Sequence, residues 1–410
     1  MSSFQNINDS FTPLNTDSED HIIDVDPILV NDNLVQLLDI EEKEREKEKN
    51  EPINTPKPRT KNCSIELCRI FAGFLVICCH LVSHGLGGVP HFPHNSLFLL
   101  NNLSLACNSL FISISSFFLC DSRFSITRIV RFWIVTVINL YYANFLMERL
   151  KIAPFTKQDE YNCWFWFQIG DIWYSTGHMT FIFIMPLISK IADRIGKRSH
   201  FILVLFLTYT TSIGNAKPNG SRLSIGYNID LFIVIAMFTS FYKKYLYEKS
   251  ILWGFPIFYV LYTSQIRYIR GQLKLYFTNY VCVKTFFNGF FFHSISGTCQ
   301  IFMSFCIFHI LSHINVPSFL YYPLTFIGKT VYGSYVIGDN YKIRGRIYKL
   351  IKIKELVKPN NMVKPILFNA GKLYIRYIFL SGLLNIPLDL LVFDRDYFKK
   401  FARKIDDFLY

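Results

Sequence analysis

The apolar stretch of residues 63–84 contains the ionisable side chains Glu66, Arg69 and His80, and it ends at His84. An ionisable group inside a membrane-crossing helix costs a few kcal/mol on insertion, so such groups are expected to have a function. Arg69 and His80 are eleven residues apart, which is about 16 Å along a helix and close to three turns, so they share one face. We predict that His80, whose neutral imidazole can accept a proton or an acyl group, does the chemistry. The alternative is that Arg69 reaches lipid headgroups and His80 packs inside a bundle.

A second pattern is the arginine pair Arg128 and Arg131, which lies at the start of the third long apolar run. Residues three apart share a helix face, and two guanidinium groups on one face suit a phosphate. We predict that this pair binds the phosphates of a ligand. In isolation, the pair also has the form of an ordinary positively charged flank of a membrane span.

Other reactive residue types carry less weight. His84, His91 and His94 have irregular spacing and no carboxylate among them, so we predict no metal site. His178 could be a second catalytic histidine, although the interior of a bundle is the more ordinary place for it. The ten cysteines contain no Cys-x-x-Cys pair and no repeated spacing, which indicates neither a disulfide framework nor a zinc site. Cys78 and Cys79 adjoin His80, but neighbours on a helix point apart, so we expect them to pack.

The composition indicates which elements must position these residues. Of the 410 residues, 51% are hydrophobic, 17% are aromatic and only 18% are charged, whereas soluble domains carry about 25% charge. Soluble multidomain, collagenous, coiled-coil and small disulfide-rich proteins are therefore excluded. The net charge of +13 does not indicate nucleic-acid binding, because the positive charge lies in short loops and not in a basic soluble module. We predict a protein embedded in the lipid bilayer.

Apolar runs of the length that crosses a bilayer recur along the chain. We predict an all-α fold, a polytopic transmembrane bundle of about ten spans near residues 64–84, 97–120, 129–147, 174–193, 201–215, 228–242, 250–264, 295–313, 320–337 and 368–393. The Phe-rich segment 276–293 is either an eleventh span or a re-entrant piece. No internal repeat supports an inverted-repeat transporter.

Charge outside the runs predicts the orientation and the domains. Residues 1–60 are acidic and proline-containing, and we predict a disordered cytosolic tail. Lys and Arg precede the first run and follow the second, fourth and sixth, which places the N-terminus in the cytosol. The glycosylation sequon at Asn219 then lies outside, and so does the loop 338–366, although its many Lys and Arg argue against that side. The transmembrane domain covers 61–395, and 396–410 form a short cytosolic tail.

The stretch 64–80 resembles the opening helix of the acyltransferase-3 family, integral membrane O-acyltransferases that modify surface carbohydrate. The family's mark there is an Arg, ten residues and a His, and Arg69 and His80 have this spacing. Arg128 and Arg131 match a second family motif of the form Arg-x-x-Arg. Four further segments resemble family motifs in collinear order, so that the resemblance extends over about residues 62–393: these are 108–119, 173–188, 226–245 and 329–344.

Two positions depart from the family pattern. Ser116 stands where the family has a glycine, and Gly338 stands where the bacterial sugar O-acetyltransferase branch usually has a histidine. These departures leave room for altered substrate choice or reduced activity.

The resemblance implies a reaction that also suits the charges. It implies that acetyl-CoA or another acyl-CoA is the cytosolic donor, a co-substrate and not a tightly bound cofactor, and that a carbohydrate or other hydroxyl compound is the acceptor. Arg128 and Arg131, together with Arg69, would hold the phosphates, and His80 would act as general base or take the acyl group transiently. From the late motif we expect Asp339 to orient His80 or the acceptor. The alternatives are a polytopic transporter or flippase, and a family member that has lost catalysis.

Overall fold

The computed structural model describes residues 63–86, 96–122, 124–168, 172–216, 229–269, 297–351, 353–356 and 363–408. All of them belong to a unit that runs from Asn62 to Tyr410. Within these ranges the chain is helical and contains no strand, which confirms the predicted all-α class. The predicted acidic tail, the segment 276–293, the sequon at Asn219, and His91 and His94 lie outside the described residues.

The first half of the described chain contains eight α-helices: α1 (Cys63–His80), α2 (Ser96–Ser104), α3 (Cys107–Leu119), α4 (Ile126–Arg149), α5 (Lys157–Trp164), α6 (Trp173–Arg194), α7 (Lys197–Ala216) and α8 (Ile229–Tyr245). The second half contains α9 (Gly254–Ile269), α10 (Thr298–Ser312), α11 (Tyr321–Asp339), α12 (Tyr341–Leu350), α13 (Ile353–Leu356), α14 (Val363–Leu388) and α15 (Asp396–Phe408). Single π-helical turns extend α1 over Leu81–Gly85 and α14 over Asp389–Phe393.

Four described helical segments are long and apolar enough to cross a membrane: Cys63–Gly85, Leu99–Leu119, Ile126–Arg149 and Val363–Phe393. They indicate a membrane protein. The predicted count of ten spans is not confirmed, although a helix overlaps each of the ten runs. The helices α8, α9 and α10 have 17, 16 and 15 residues, which is short for the roughly 20 residues that a crossing needs. The sequence therefore predicts helices in the right places, and length and composition support membrane spans at four of them among the described residues.

The helices α1, α4, α11 and α14 form the part of the bundle that matters for the site. Helix α11 packs against α14, α1 and α4, and α1 also packs against α3, α10 and α14. A close approach of α14 to α1 requires Gly73, because a Cβ there would lie 2.5 Å from the Tyr374 hydroxyl. That hydroxyl donates to the carbonyl of Ile70 at 2.7 Å. The glycine thus lets an α14 side chain bond the backbone of α1.

Polar pairs between helices fix the relative directions of three of them. Going along α4, side chains contact successive positions of α11 and α14, in the pairs Thr136–Tyr332 (2.6 Å), Asn139–Asn385 (2.9 Å) and Asn144–Asn340 (3.4 Å). Residue numbers rise together from Thr136–Tyr332 to Asn144–Asn340, so α4 and α11 are parallel. Arg131 contacts Asp389 and Asn139 contacts Asn385, so α14 is antiparallel to both. Helix α1 is also parallel to α11, since Cys63 contacts Thr325 near their starts and His80 contacts Asp339 at their ends.

Candidate active site

His80 is the last residue of α1, directly before the π-helical turn Leu81–Gly85. A π-helical turn is rare and often occurs at functional sites, because it widens the helix and redirects the side chains around it. Here the turn carries His84, whose ring centroid lies 5.5 Å from that of His80. The apolar run predicts the helix, and it does not predict that the helix widens after His80.

A carboxylate and a phenol face the two nitrogens of the His80 ring. Nε2 lies 3.5 Å from Oδ1 of Asp339, and Nδ1 lies 3.4 Å from the hydroxyl of Tyr348. Asp339 is the last residue of α11 and its side chain is only 2% exposed. It accepts hydrogen bonds from Tyr335 at 2.9 Å and from Arg344 at 3.1 Å. A buried carboxylate is costly unless it is paired, and these donors compensate for its burial.

This arrangement has the elements of a general base. A neutral imidazole with its hydrogen on Nε2 directs that hydrogen towards Asp339 and leaves the lone pair of Nδ1 to accept a proton. The carboxylate can then hold the ring in one orientation and stabilise the imidazolium ion. His80 keeps 15% of its side-chain exposure, so a reactant can approach it. The 3.5 Å between Nε2 of His80 and Oδ1 of Asp339 is longer than a good hydrogen bond. Catalytic hydrogen bonds often shorten only when the substrate binds.

Gly338, which replaces a histidine of the family pattern, has a packing reason in this chain. A Cβ at this position would lie 3.0 Å from Cε2 of Tyr377 and 3.4 Å from Cδ1 of Ile77. The carbonyl of Gly338 accepts from the Tyr348 hydroxyl at 3.5 Å. A histidine at 338 would therefore need Tyr377 to move, and the aromatic rings occupy the space that its side chain would take.

Ser116, the other departure from the family pattern, has a local role. Its side chain is fully buried in α3, and the hydroxyl donates to the carbonyl of Ile112 at 2.7 Å. This bond satisfies the hydroxyl within its own helix, so Ser116 takes no part in the cluster around His80.

Arg69 lies three turns before His80 and has a partner of its own. Its guanidinium donates to Glu66 at 2.6 Å, from one turn earlier in α1. Glu66 in turn packs against Gly328 of α11. Glu66 therefore pairs with the charge of Arg69 inside the apolar stretch. A phosphate that bound Arg69 would have to compete with this ion pair.

The arginine pair of α4 contacts different partners. Arg131 donates to Asp389 at 2.5 Å and its guanidinium lies 4.9 Å from the centroid of the Phe393 ring. Arg128 instead donates to Ser122 at 2.9 Å, back towards the end of α3. Lys329 of α11 approaches Asp389 at 3.8 Å. A phosphate-binding role for Arg128 and Arg131 stays a prediction. Arg131 shares the carboxylate of Asp389 with Lys329 and not with Arg128, and sequence spacing does not reveal this.

The remaining candidate residues have structural environments. The ring of His178 lies 4.9 Å from that of Phe132 and is stacked at 5.8 Å on Tyr174. Cys78 is fully buried. Among the residues that the structure describes, no three His, Cys, Asp or Glu side chains are grouped closely enough to hold a metal ion.

An ion pair next to the site anchors α12, the helix that carries Arg344 and Tyr348. Asp159 accepts from Lys342 at 2.7 Å and also caps α5 through Thr156. Burial raises the pKa of Asp159, but hydrogen bonds from Lys342, Thr156 and Tyr341 outweigh it and lower the pKa to about 2. These residues line an open cavity of about 420 Å³ that also includes Arg346.

This cavity does not adjoin His80 directly. Lys342 and Arg346 are four residues apart and share one face of α12, whereas Arg344 and Tyr348 share the face two residues on, which points nearly the opposite way. The cavity therefore lies across α12 from the imidazole, and the Asp159 ion pair acts on the site only by holding α12 in place.

Comparison with known proteins adds no family assignment. No known protein family matches this chain, and no curated protein or solved structure matches it either. The resemblance to the acyltransferase-3 family thus remains an expectation from the motifs, and the functional argument depends on the geometry around His80.

Proposed function

We propose that this protein is a membrane-embedded O-acyltransferase that moves an acyl group, in the simplest case acetyl, from acyl-CoA to a hydroxyl of a carbohydrate or similar acceptor. The observation that carries the proposal is the 3.5 Å approach of Asp339 to Nε2 of His80, with Tyr348 at the other ring nitrogen. These residues come from three helices, and a buried histidine–carboxylate pair of this kind is how general bases are held in many transferases.

In the proposed reaction, Nδ1 of His80 takes the proton of the acceptor hydroxyl as its oxygen attacks the thioester carbonyl. The carbon–sulfur bond then breaks, and the imidazolium returns the proton to the CoA thiolate, so no other reactant is needed. Asp339 stabilises the imidazolium while Arg344 balances the charge of the carboxylate. The Tyr348 hydroxyl lies close enough to Nδ1 to donate a hydrogen bond to the oxyanion that forms on the carbonyl.

The donor would approach from the other end of α4 and α11. Arg131 and Lys329 lie there on both sides of Asp389, and both are accessible, with side chains 44% and 39% exposed. A diphosphate could displace the single carboxylate and use both cations. We propose that this end faces the cytosol, as the loop charges predict, and that His80 faces the acceptor side.

The test is release of CoA from radiolabelled acetyl-CoA by the purified full-length protein in lipid nanodiscs, with a panel of sugar acceptors. His80→Ala should lower the rate at least about 100-fold, the low end for loss of a general base. Expression should survive, because removing a polar group lowers the cost of membrane insertion. His178→Gln is the matched control, since His178 is also a histidine packed among rings. If His80→Ala turns over like the wild type, the assignment is wrong.

The rivals make different predictions in the same preparation. A transporter or flippase would move solute across sealed vesicles without releasing CoA. The polar row between α4, α11 and α14 does not favour that reading, because its side chains bond each other directly at 2.6–2.9 Å where Thr136 meets Tyr332 and Asn139 meets Asn385. An inactive family member would bind acyl-CoA and release no CoA with any acceptor.

A further inference from the structure

Helix α15 exposes large aromatic side chains that a helix on a soluble surface would bury. Tyr397 and Phe401 are 65% and 61% exposed. They are four residues apart, so they lie one above the other on a single face. Phe398, which lies about 100° further round the helix than Tyr397, packs on the protein, and its ring centroid lies 5.1 Å from that of Phe393. Phe398 thus makes the aromatic contact with the rest of the protein, while Tyr397 and Phe401 stay exposed.

Basic side chains border this aromatic face. Lys400 and Lys404 lie three residues after Tyr397 and Phe401, which puts each beside an aromatic ring, and both lysines are exposed. Such a face, aromatic with lysines on its edge, is typical of helices that lie in the plane of a membrane surface.

The position of α15 places this face at the membrane boundary. The helix begins at Asp396, shortly after the membrane-length segment Val363–Phe393 ends. At its other end, Asp406 accepts from the Ser125 hydroxyl at 2.7 Å and from the backbone amide of Ile126 at 3.0 Å. Ser125 caps α4, another membrane-length segment. Both ends of α15 are therefore held where two such segments reach the bilayer surface.

We propose that α15 is an interfacial helix that binds anionic lipid: Tyr397 and Phe401 insert at the level of the headgroups, and Lys400 and Lys404 contact lipid phosphates and carboxylates. The occupant is the lipid surface of the protein's own bilayer. Aromatic side chains are favoured at this depth, and each lysine near an anionic surface strengthens binding about fivefold. This inference does not depend on acyl transfer.

The experiment is hydrogen–deuterium exchange of the full-length protein in nanodiscs of phosphatidylcholine alone or with about 30% phosphatidylserine. Amides of 396–408 should exchange at least about tenfold more slowly with the anionic lipid, since two lysines act together. The double variant Lys400→Glu/Lys404→Glu should lose this difference. The matched control Lys399→Glu/Arg403→Glu changes the charge equally on the far side of the helix and should keep it.

Several outcomes would overturn the proposal. Equal exchange of the wild-type helix in both lipids would show that anionic lipid is not the ligand, and this result does not depend on any variant. Equal loss of protection in the two double variants would show that only total charge matters. Protection that follows the number of protein copies in each nanodisc would assign the aromatic face to a second copy of the chain.

Discussion

The variant Asp339→Asn tests whether the carboxylate of Asp339 orients His80 for catalysis or only packs in the bundle. Asn has nearly the same shape and can still accept from Tyr335, but it removes the charge that faces Nε2 of His80 at 3.5 Å and Arg344 at 3.1 Å. A hydrogen bond to a charged group is worth about 1.5–3 kcal/mol. If that stabilisation applies to the imidazolium in the transition state, kcat should fall roughly 10- to 150-fold. KM for acyl-CoA should change little, because the carboxylate does not touch the proposed donor end.

The assay is steady-state CoA release in nanodiscs, with thermal unfolding measured on the same samples. Asp389→Asn is the comparison variant, since Asp389 is also a carboxylate bound to an arginine inside the bundle. It should change KM for acyl-CoA, by freeing Arg131, and leave kcat within about twofold. An Asp339→Asn protein that is folded and keeps the wild-type kcat would refute the orienting role. A loss of kcat that appears equally in Asp389→Asn would show that both variants merely loosen the bundle.

Three further predictions concern the rest of the site. Arg131→Ala should raise KM for acyl-CoA more than Arg128→Ala does, because Arg131 shares its carboxylate with a second cation, and equal effects in titrations with acyl-CoA would contradict this. Asp159→Asn should destabilise the protein by roughly 2 kcal/mol near neutral pH; since the folded pKa is lowered to about 2 from 3.8, the deficit in thermal stability should shrink as the pH falls from about 4 to 2. Gly338→His should cost about 1–3 kcal/mol by overpacking and should not raise the rate of CoA release, and a stable, faster variant would show that the glycine is a loss of function.

The apolar runs predict the helices around the site, but they do not predict which side chains of different helices meet. The apolar run around His80 correctly predicts a helix, and the late motif pointed to Asp339, which the structure brings within 3.5 Å of that histidine. Spacing within α4 puts Arg128 and Arg131 on one face, but their partners come from elsewhere: Asp389 is 258 residues away from Arg131. No periodicity encodes such a contact, because it depends on how α14 docks on α4.

The count of ten spans is not confirmed, for a related reason. An apolar run is a local property, and a helix overlaps each of the ten predicted runs. Whether a helix crosses the bilayer depends on its length, and α8, α9 and α10 have 17, 16 and 15 residues as the structure describes them. Tyr348 was missed, and Arg344, which ends the motif segment 329–344, was given no role, because α12 lies in a segment whose charges resemble an ordinary loop.

The bond from Asp406 to the start of α4 has a consequence for biosynthesis. The backbone amide of Ile126 donates to the carboxylate of Asp406, which is 280 residues further along the chain. At a synthesis rate of about 5–20 residues per second, α4 enters the membrane roughly 14–56 s before Asp406 exists. During that interval its first turn lacks this carboxylate cap, and the beginning of the helix is less stable than in the finished protein. Chains that stop before Asp406 would keep this defect, so quality-control proteases that recognise frayed membrane helices could distinguish them from complete chains.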